Sequence, residues 1–172
     1  MMGHLSWLAG LDRTLTRWMA ERGVLLLRIS VGAVFLWFGV LKFWPGLSPA
    51  DELAAATIER LSFGIIPTGP ALVALAALET AIGLGLVFGR AMRLTLLLLF
   101  GQMLGTITPL VLFPDLTWSA ALVPTLEGQY IIKNLVLVSA GLVIGATVRG
   151  GGMVDDAEAL EAGRRLASAS SR

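Results

Sequence analysis

Apolar positions along the chain fall into four long runs separated by short polar stretches, the pattern of membrane-spanning α-helices. The first run extends from Gly23 to Trp44, and the second from Pro70 to Phe88, where Gly89-Arg90 stops it. The third covers Leu94 to Phe113 and is closed by Pro114-Asp115; the fourth covers Tyr130 to Val148 and is followed by Arg149 and three glycines. A helix crosses the hydrocarbon core with about 20 mostly apolar residues, and each run has that length or close to it. The first run is too long for a secretory signal, and no small-residue cleavage site follows it, so it reads as an uncleaved span. The predicted fold is all-α: a four-helix transmembrane bundle over residues 23–148, with spans at about 23–44, 70–88, 94–113 and 130–148.

The segments between and around the runs have their own periodicity. In residues 1–22, Leu5, Leu8, Leu11, Leu15, Trp18 and Met19 recur at helical spacing with Asp12, Arg13, Thr16 and Arg17 between them. That predicts an interfacial helix lying along the inner headgroups. After Pro45, Gly46, Ser48 and Pro49 end the first span, Asp51 and Glu52 open a second short amphipathic helix, expected to cover the outer surface. Within the third span, Thr106-Ile107-Thr108-Pro109 predicts a kink, because proline removes a backbone donor and frees the Gly105 carbonyl. Thr106 and Thr108 are at hand to satisfy it. Residues 149–172 form a polar tail, Ala-, Glu- and Arg-rich from Met153 onward, and read as a cytoplasmic surface helix.

Composition supports the membrane assignment: of 172 residues 56% are hydrophobic and 15% charged, with mean hydropathy +0.80. The net charge of +1 gives no reason to expect a nucleic-acid partner. What matters is how the charges are distributed. Arg13, Arg17 and Arg22 precede the first span, Arg90 and Arg93 lie in the second connection, and Arg149, Arg164, Arg165 and Arg172 follow the last span. The first connection has Arg60 against Asp51, Glu52 and Glu59, and the third has only Asp115 and Glu127. The positive-inside rule then places both termini in the cytoplasm. There is no cysteine, which excludes disulfides and thiolate-bound metal, and the only histidine, His4, precedes the first span, so the chain carries no b-type haem of its own.

Charged side chains inside a membrane are costly, at least about 2.5 kcal/mol at mid-bilayer, and usually face a bundle interior for a reason. Counting from the inner helix ends, Glu79 and Gln102 both lie about 13 Å deep, and Arg28 about 6 Å. These three form an expected inner layer, with Arg28 favoured as the counter-charge of Glu79. Lys42, Lys133 and Asn134 form an expected outer layer, flanked by Gln129, Tyr130 and Glu127. The candidate ligand-binding residues are therefore Glu79, Lys133, Asn134, Gln129, Lys42, Arg28 and Gln102. A purely structural role, as interhelical links and snorkelling anchors, is the alternative for all of them. The spacings Gly101-x-x-x-Gly105 and Gly141-x-x-x-Gly145 allow close helix approach, within the bundle by default or across a homo-oligomer seam. No catalytic motif and no metal-ligand cluster is present.

Three segments carry a family resemblance. Leu27-Arg28-Ile-Ser-Val-Gly32-Ala-Val-Phe-Leu-Trp-Phe-Gly39-Val-Leu-Lys42-Phe43 resembles the first helix of the DoxX family, and Leu78-Glu79-Thr-Ala-Ile-Gly83-Leu-Gly85-Leu resembles its second. Glu127-Gly128-Gln129-Tyr130-Ile-Ile-Lys133-Asn134-Leu-Val-Leu is similar to the last helix of a branch that also resembles the DUF417 membrane proteins. The resemblance covers about residues 24–148. It implies redox or oxidative-stress work at a bacterial membrane, since the family includes a subunit of an archaeal thiosulfate:quinone oxidoreductase. The expectation is a non-catalytic subunit that binds a quinone or another lipophilic ligand within the bundle and acts with a membrane or cytoplasmic redox partner. Lys133, Asn134 and Gln129 would hydrogen-bond the head group while Trp37 and Phe43 wall it. Two alternatives stand beside it: an assembly anchor for a partner protein, and a small proton-coupled permease using Glu79.

Overall fold

A computed structural model describes residues 2–44 and 46–151, with side chains from residue 10 onward. In chain order the elements are α1 (Met2–Leu41), α2 (Asp51–Leu61), α3 (Thr68–Phe88), α4 (Met92–Ile107), α5 (Pro109–Leu112), α6 (Pro114–Thr117), β1 (Trp118–Ala120), β2 (Val123–Pro124) and α7 (Leu126–Thr147). Four helical stretches are long and apolar enough to cross a membrane: α1, α3, α4 continued through α5 to Leu112, and α7. The tail expected to form a helix from Met153 lies outside the described residues.

α1 packs against α3 and α7, and α4 closes the ring by packing against the same two helices. The core at their meeting line comprises Val31 and Phe35 of α1, Ile82 and Leu86 of α3, Leu96, Leu99 and Met103 of α4, and Ala140 and Ile144 of α7. The outward faces are as apolar as the core: Leu97, Leu104 and Val136 are exposed, as a bundle solvated by acyl chains requires.

The α1–α3 contact is the most extensive and is built on glycine. A Cβ on Gly39 would come within 2.7 Å of the Thr80 backbone nitrogen, and one on Gly32 within 2.9 Å of the Val87 nitrogen. From the other side, a Cβ on Gly83 would lie 2.8 Å from the Leu36 Cα. The two backbones touch at these points, and the contacts fix an antiparallel register in which each step up α1 is one step down α3.

Two expectations about α1 and α4 have different outcomes. Instead of a separate interfacial helix followed by a span, α1 runs unbroken for 40 residues, about 60 Å. Nothing between Met19 and Gly23 breaks a helix strongly enough to turn the chain. The kink, by contrast, is where the proline predicts it: α4 ends at Ile107 and α5 starts at Pro109. The Thr108 amide and hydroxyl both donate to the freed Gly105 carbonyl, at 3.2 and 2.7 Å.

The third connection contains structure that hydropathy does not predict. α6 leads into a short antiparallel hairpin of β1 and β2, and Thr125 caps α7 by accepting from the Gly128 amide at 3.2 Å. The Thr117 carbonyl lies so close to Gly128 that any side chain there would collide with it. Gly128 in the Glu127-Gly128-Gln129 segment thus has a packing reason.

Candidate functional site

The polar centre of the bundle is built by three helices. Lys42 follows the last residue of α1, its amide continuing the final turn by donating to the Gly39 carbonyl at 3.2 Å. Helical side chains lean toward the N-terminus of their helix, so the Lys42 stem turns back into the bundle rather than out of it. Its Nζ donates to Glu79 Oε2 at 2.7 Å. From α4, Gln102 Nε2 donates to Glu79 Oε1, also at 2.7 Å. Lys42 and Glu79 are only 9% and 8% exposed, so the carboxylate is held between an ammonium and an amide in a medium of low dielectric. A buried pair of this kind repays its desolvation only when the remaining polar atoms are satisfied.

They are not all satisfied. Gln102 directs its amide nitrogen at the carboxylate, and its Oε1 is left buried with no hydrogen-bond partner. Thr80 Oγ1, next in sequence to Glu79, is also without one. Two of the three N–H donors of the Lys42 ammonium remain for another acceptor. Gln102 is half-buried, and the α4 surface beside it is uncovered: a Cβ built on Gly101 or on Gly105 meets nothing within 4 Å. Gly105 is three residues from Gln102 and so on the same helix face. The α4 surface next to the cluster is therefore uncovered, while the polar atoms themselves are buried.

This arrangement corrects the expected pairing. Arg28 is not the counter-charge of Glu79, and Lys42 does not belong to an outer layer with Lys133 and Asn134. The glycine register puts Arg28 beside Gly89, ten residues or about 15 Å along α3 from Glu79, and puts Lys42 about opposite Ala77. Depth counted from Gly23 misplaced both, because α1 enters the bundle several residues later than the apolar run begins. The seven-residue spacing of Gly32 and Gly39, two helical turns on one face, was the signal in the sequence for this register.

The remaining candidates lie elsewhere. Lys133 is exposed on α7, with its Nζ 5.3 Å from the centre of the exposed Tyr130 ring. Gln129 is exposed, and Asn134 is half-buried. Trp37 and Phe43 are exposed, Trp37 by 71%. Gly141 does face a neighbouring helix, its Cβ position lying 3.1 Å from the Phe100 ring, whereas Gly101 and Gly105 do not. Asp51, the first-turn acid of α2, is buried with Oδ1 unpaired. Among the described residues no three His, Asp or Glu side chains converge as a metal site.

Two clefts of about 390 Å³ open at opposite ends of the bundle. One is bounded by Arg28, Gly89, Met92 and the C-terminal turn of α7, and the other by the α6 and hairpin residues from Pro114 to Leu122.

The DoxX family model matches residues 23–115, more than half of the chain. The matched segment contains Lys42, Glu79 and Gln102, and ends before α7. No curated protein and no solved structure matches the chain.

Proposed function

Since the chain belongs to the DoxX family, we propose that it is a redox-associated membrane subunit which holds the head group of a quinone, or of a similar lipid-soluble carrier, at Lys42, Glu79 and Gln102. The observation that carries this is the buried, unpaired Gln102 carbonyl beside a buried ammonium–carboxylate pair, on a helix whose neighbouring Gly101 and Gly105 are uncovered. These groups fit a dicarbonyl ring. The spare Lys42 donors suit a carbonyl oxygen, Gln102 Oε1 suits a hydroxyl, and the flat glycine surface suits a ring face. When bound, a quinone would supply two-electron, two-proton chemistry. The chain's own contribution is to orient the head group, to exclude water through the apolar neighbours Leu99 and Met103, and to keep a proton-accepting carboxylate at Glu79 within hydrogen-bond reach.

The location we propose is a bacterial inner membrane with both termini cytoplasmic. It is supported by the Arg-rich end of the bundle opposite an end that holds Asp51, Glu52, Asp115 and Glu127.

Quinone content of the purified protein tests the assignment. Wild type is expected to retain quinone, Gly105→Leu to lose it by filling the open surface without touching the ion pair, and Lys133→Ala to retain it. Wild type that holds no quinone at any lipid load would sink the proposal.

A second role as an anchor for a partner protein is supported by α1. Its stretch from Gly10 to Met19 stands clear of the bundle, with Leu11, Leu15, Trp18 and Met19 exposed around Arg13 and Arg17. A stoichiometric partner recovered in mild detergent and lost when Leu15 and Trp18 are changed to Ser would support it. Recovery unaffected by those changes would count against it.

A further inference from the structure

At the Arg-rich end of the bundle the Arg28 guanidinium lies across the C-terminus of α3, against Gly89. Gly89 has a left-handed φ of 65°, and any side chain there would collide with Arg28 Nη1. The Gly89 and Arg90 amides close the helix end by donating to the Leu86 and Gly85 carbonyls, at 3.3 and 3.1 Å. A guanidinium offers five N–H donors in a planar fork. Here Nε is buried without a hydrogen-bond partner, and no carboxylate of the described residues pairs with the group. A buried donor left unpaired is costly, more so when the group is charged.

The guanidinium forms one wall of a cleft of about 390 Å³, completed by Gly89, Met92, Ile144, Thr147 and Val148. Three of these are apolar. The Thr147 hydroxyl already donates to the Ile144 carbonyl at 2.8 Å, which leaves its oxygen as an acceptor. Arg90, Arg93 and Arg149 are exposed at the same end.

We infer that this cleft binds the phosphate of an anionic phospholipid. The guanidinium fork accepts two phosphate oxygens side by side. The Met92, Ile144 and Val148 wall covers the start of an acyl chain, which a free phosphate ion does not have. The Thr147 oxygen receives a head-group hydroxyl, so a phosphoglycerol head fits better than a choline. Basic pockets between spanning helices at the positively charged end of a bundle commonly hold such lipids. The site is about 15 Å from Glu79 along α3, and it does not depend on quinone binding.

Native mass spectrometry of the full chain, titrated with phosphatidylglycerol or phosphatidylcholine in uncharged detergent, tests this. Wild type is expected to bind one phosphatidylglycerol about tenfold more tightly than phosphatidylcholine. Arg28→Gln should abolish that preference, and Arg28→Lys should keep only part of it, since a point charge lacks the fork. Val148→Phe fills the cleft with the charge intact and should also abolish it, so the outcome does not hang on the folding of the Arg28→Gln protein. Arg93→Gln should leave it unchanged. A preference that survives both Arg28→Gln and Val148→Phe, or that falls equally in Arg93→Gln, would overturn the site in favour of a diffuse basic surface. Displacement of the lipid by inorganic phosphate alone at equal concentration would overturn the lipid assignment.

Discussion

Removing the Lys42 ammonium leaves the Glu79 carboxylate buried with a single amide donor. Breaking a buried pair from one side costs about 3–5 kcal/mol. Lys42→Met is therefore expected to lower unfolding stability in detergent by that amount, and the double variant Lys42→Met with Glu79→Gln should recover much of it, because no uncompensated charge remains. If instead the double variant is as unstable as the sum of the singles, the pair is not coupled. Glu79 was readable as the central residue from its depth in the second apolar run, and so was Gln102 as its companion. Lys42 was not readable as the partner. Which cation meets a carboxylate across two helices depends on register, and register is set by backbone contacts that hydropathy does not record.

At the scale of helices, the α1–α3 seam tolerates no side chain where the backbones touch. Gly83→Val places a branched chain against the Leu36 backbone, and overpacking of this kind costs about 1–3 kcal/mol. Gly101→Ala meets nothing within 4 Å and replaces a poor helix former, so it should leave stability unchanged or raise it by up to about 1 kcal/mol. Thermal melts of the two variants side by side check both statements. The four-residue glycine motifs drew attention to α4 and α7, and only the α7 pair faces another helix. The seam itself is marked by the longer Gly32 to Gly39 spacing and by one glycine of α3. The kink was fully legible because proline acts through its own ring and its missing donor, whereas the hairpin after α6 was not, since five residues of strand leave no periodic trace.

For the whole molecule, the four spans followed directly from hydropathy, and the even count of crossings brings the Arg-rich segments to one end. The chain has no cysteine, so a single introduced thiol reports its side of the membrane without background. Ser62→Cys, in the first connection, should react with an impermeant maleimide added to intact cells, and Arg93→Cys only after the cells are opened. The reverse pattern would invert the proposed orientation. The unbroken course of α1 has a further consequence, which is angular. With 100° between successive residues, whatever binds the Leu11 to Met19 stretch is held at a fixed azimuth about the bundle axis as well as at a fixed height. Deleting two residues between Met19 and Arg28 would swing that face to nearly the opposite side, and deleting seven would bring it almost back into phase, one heptad nearer the bilayer.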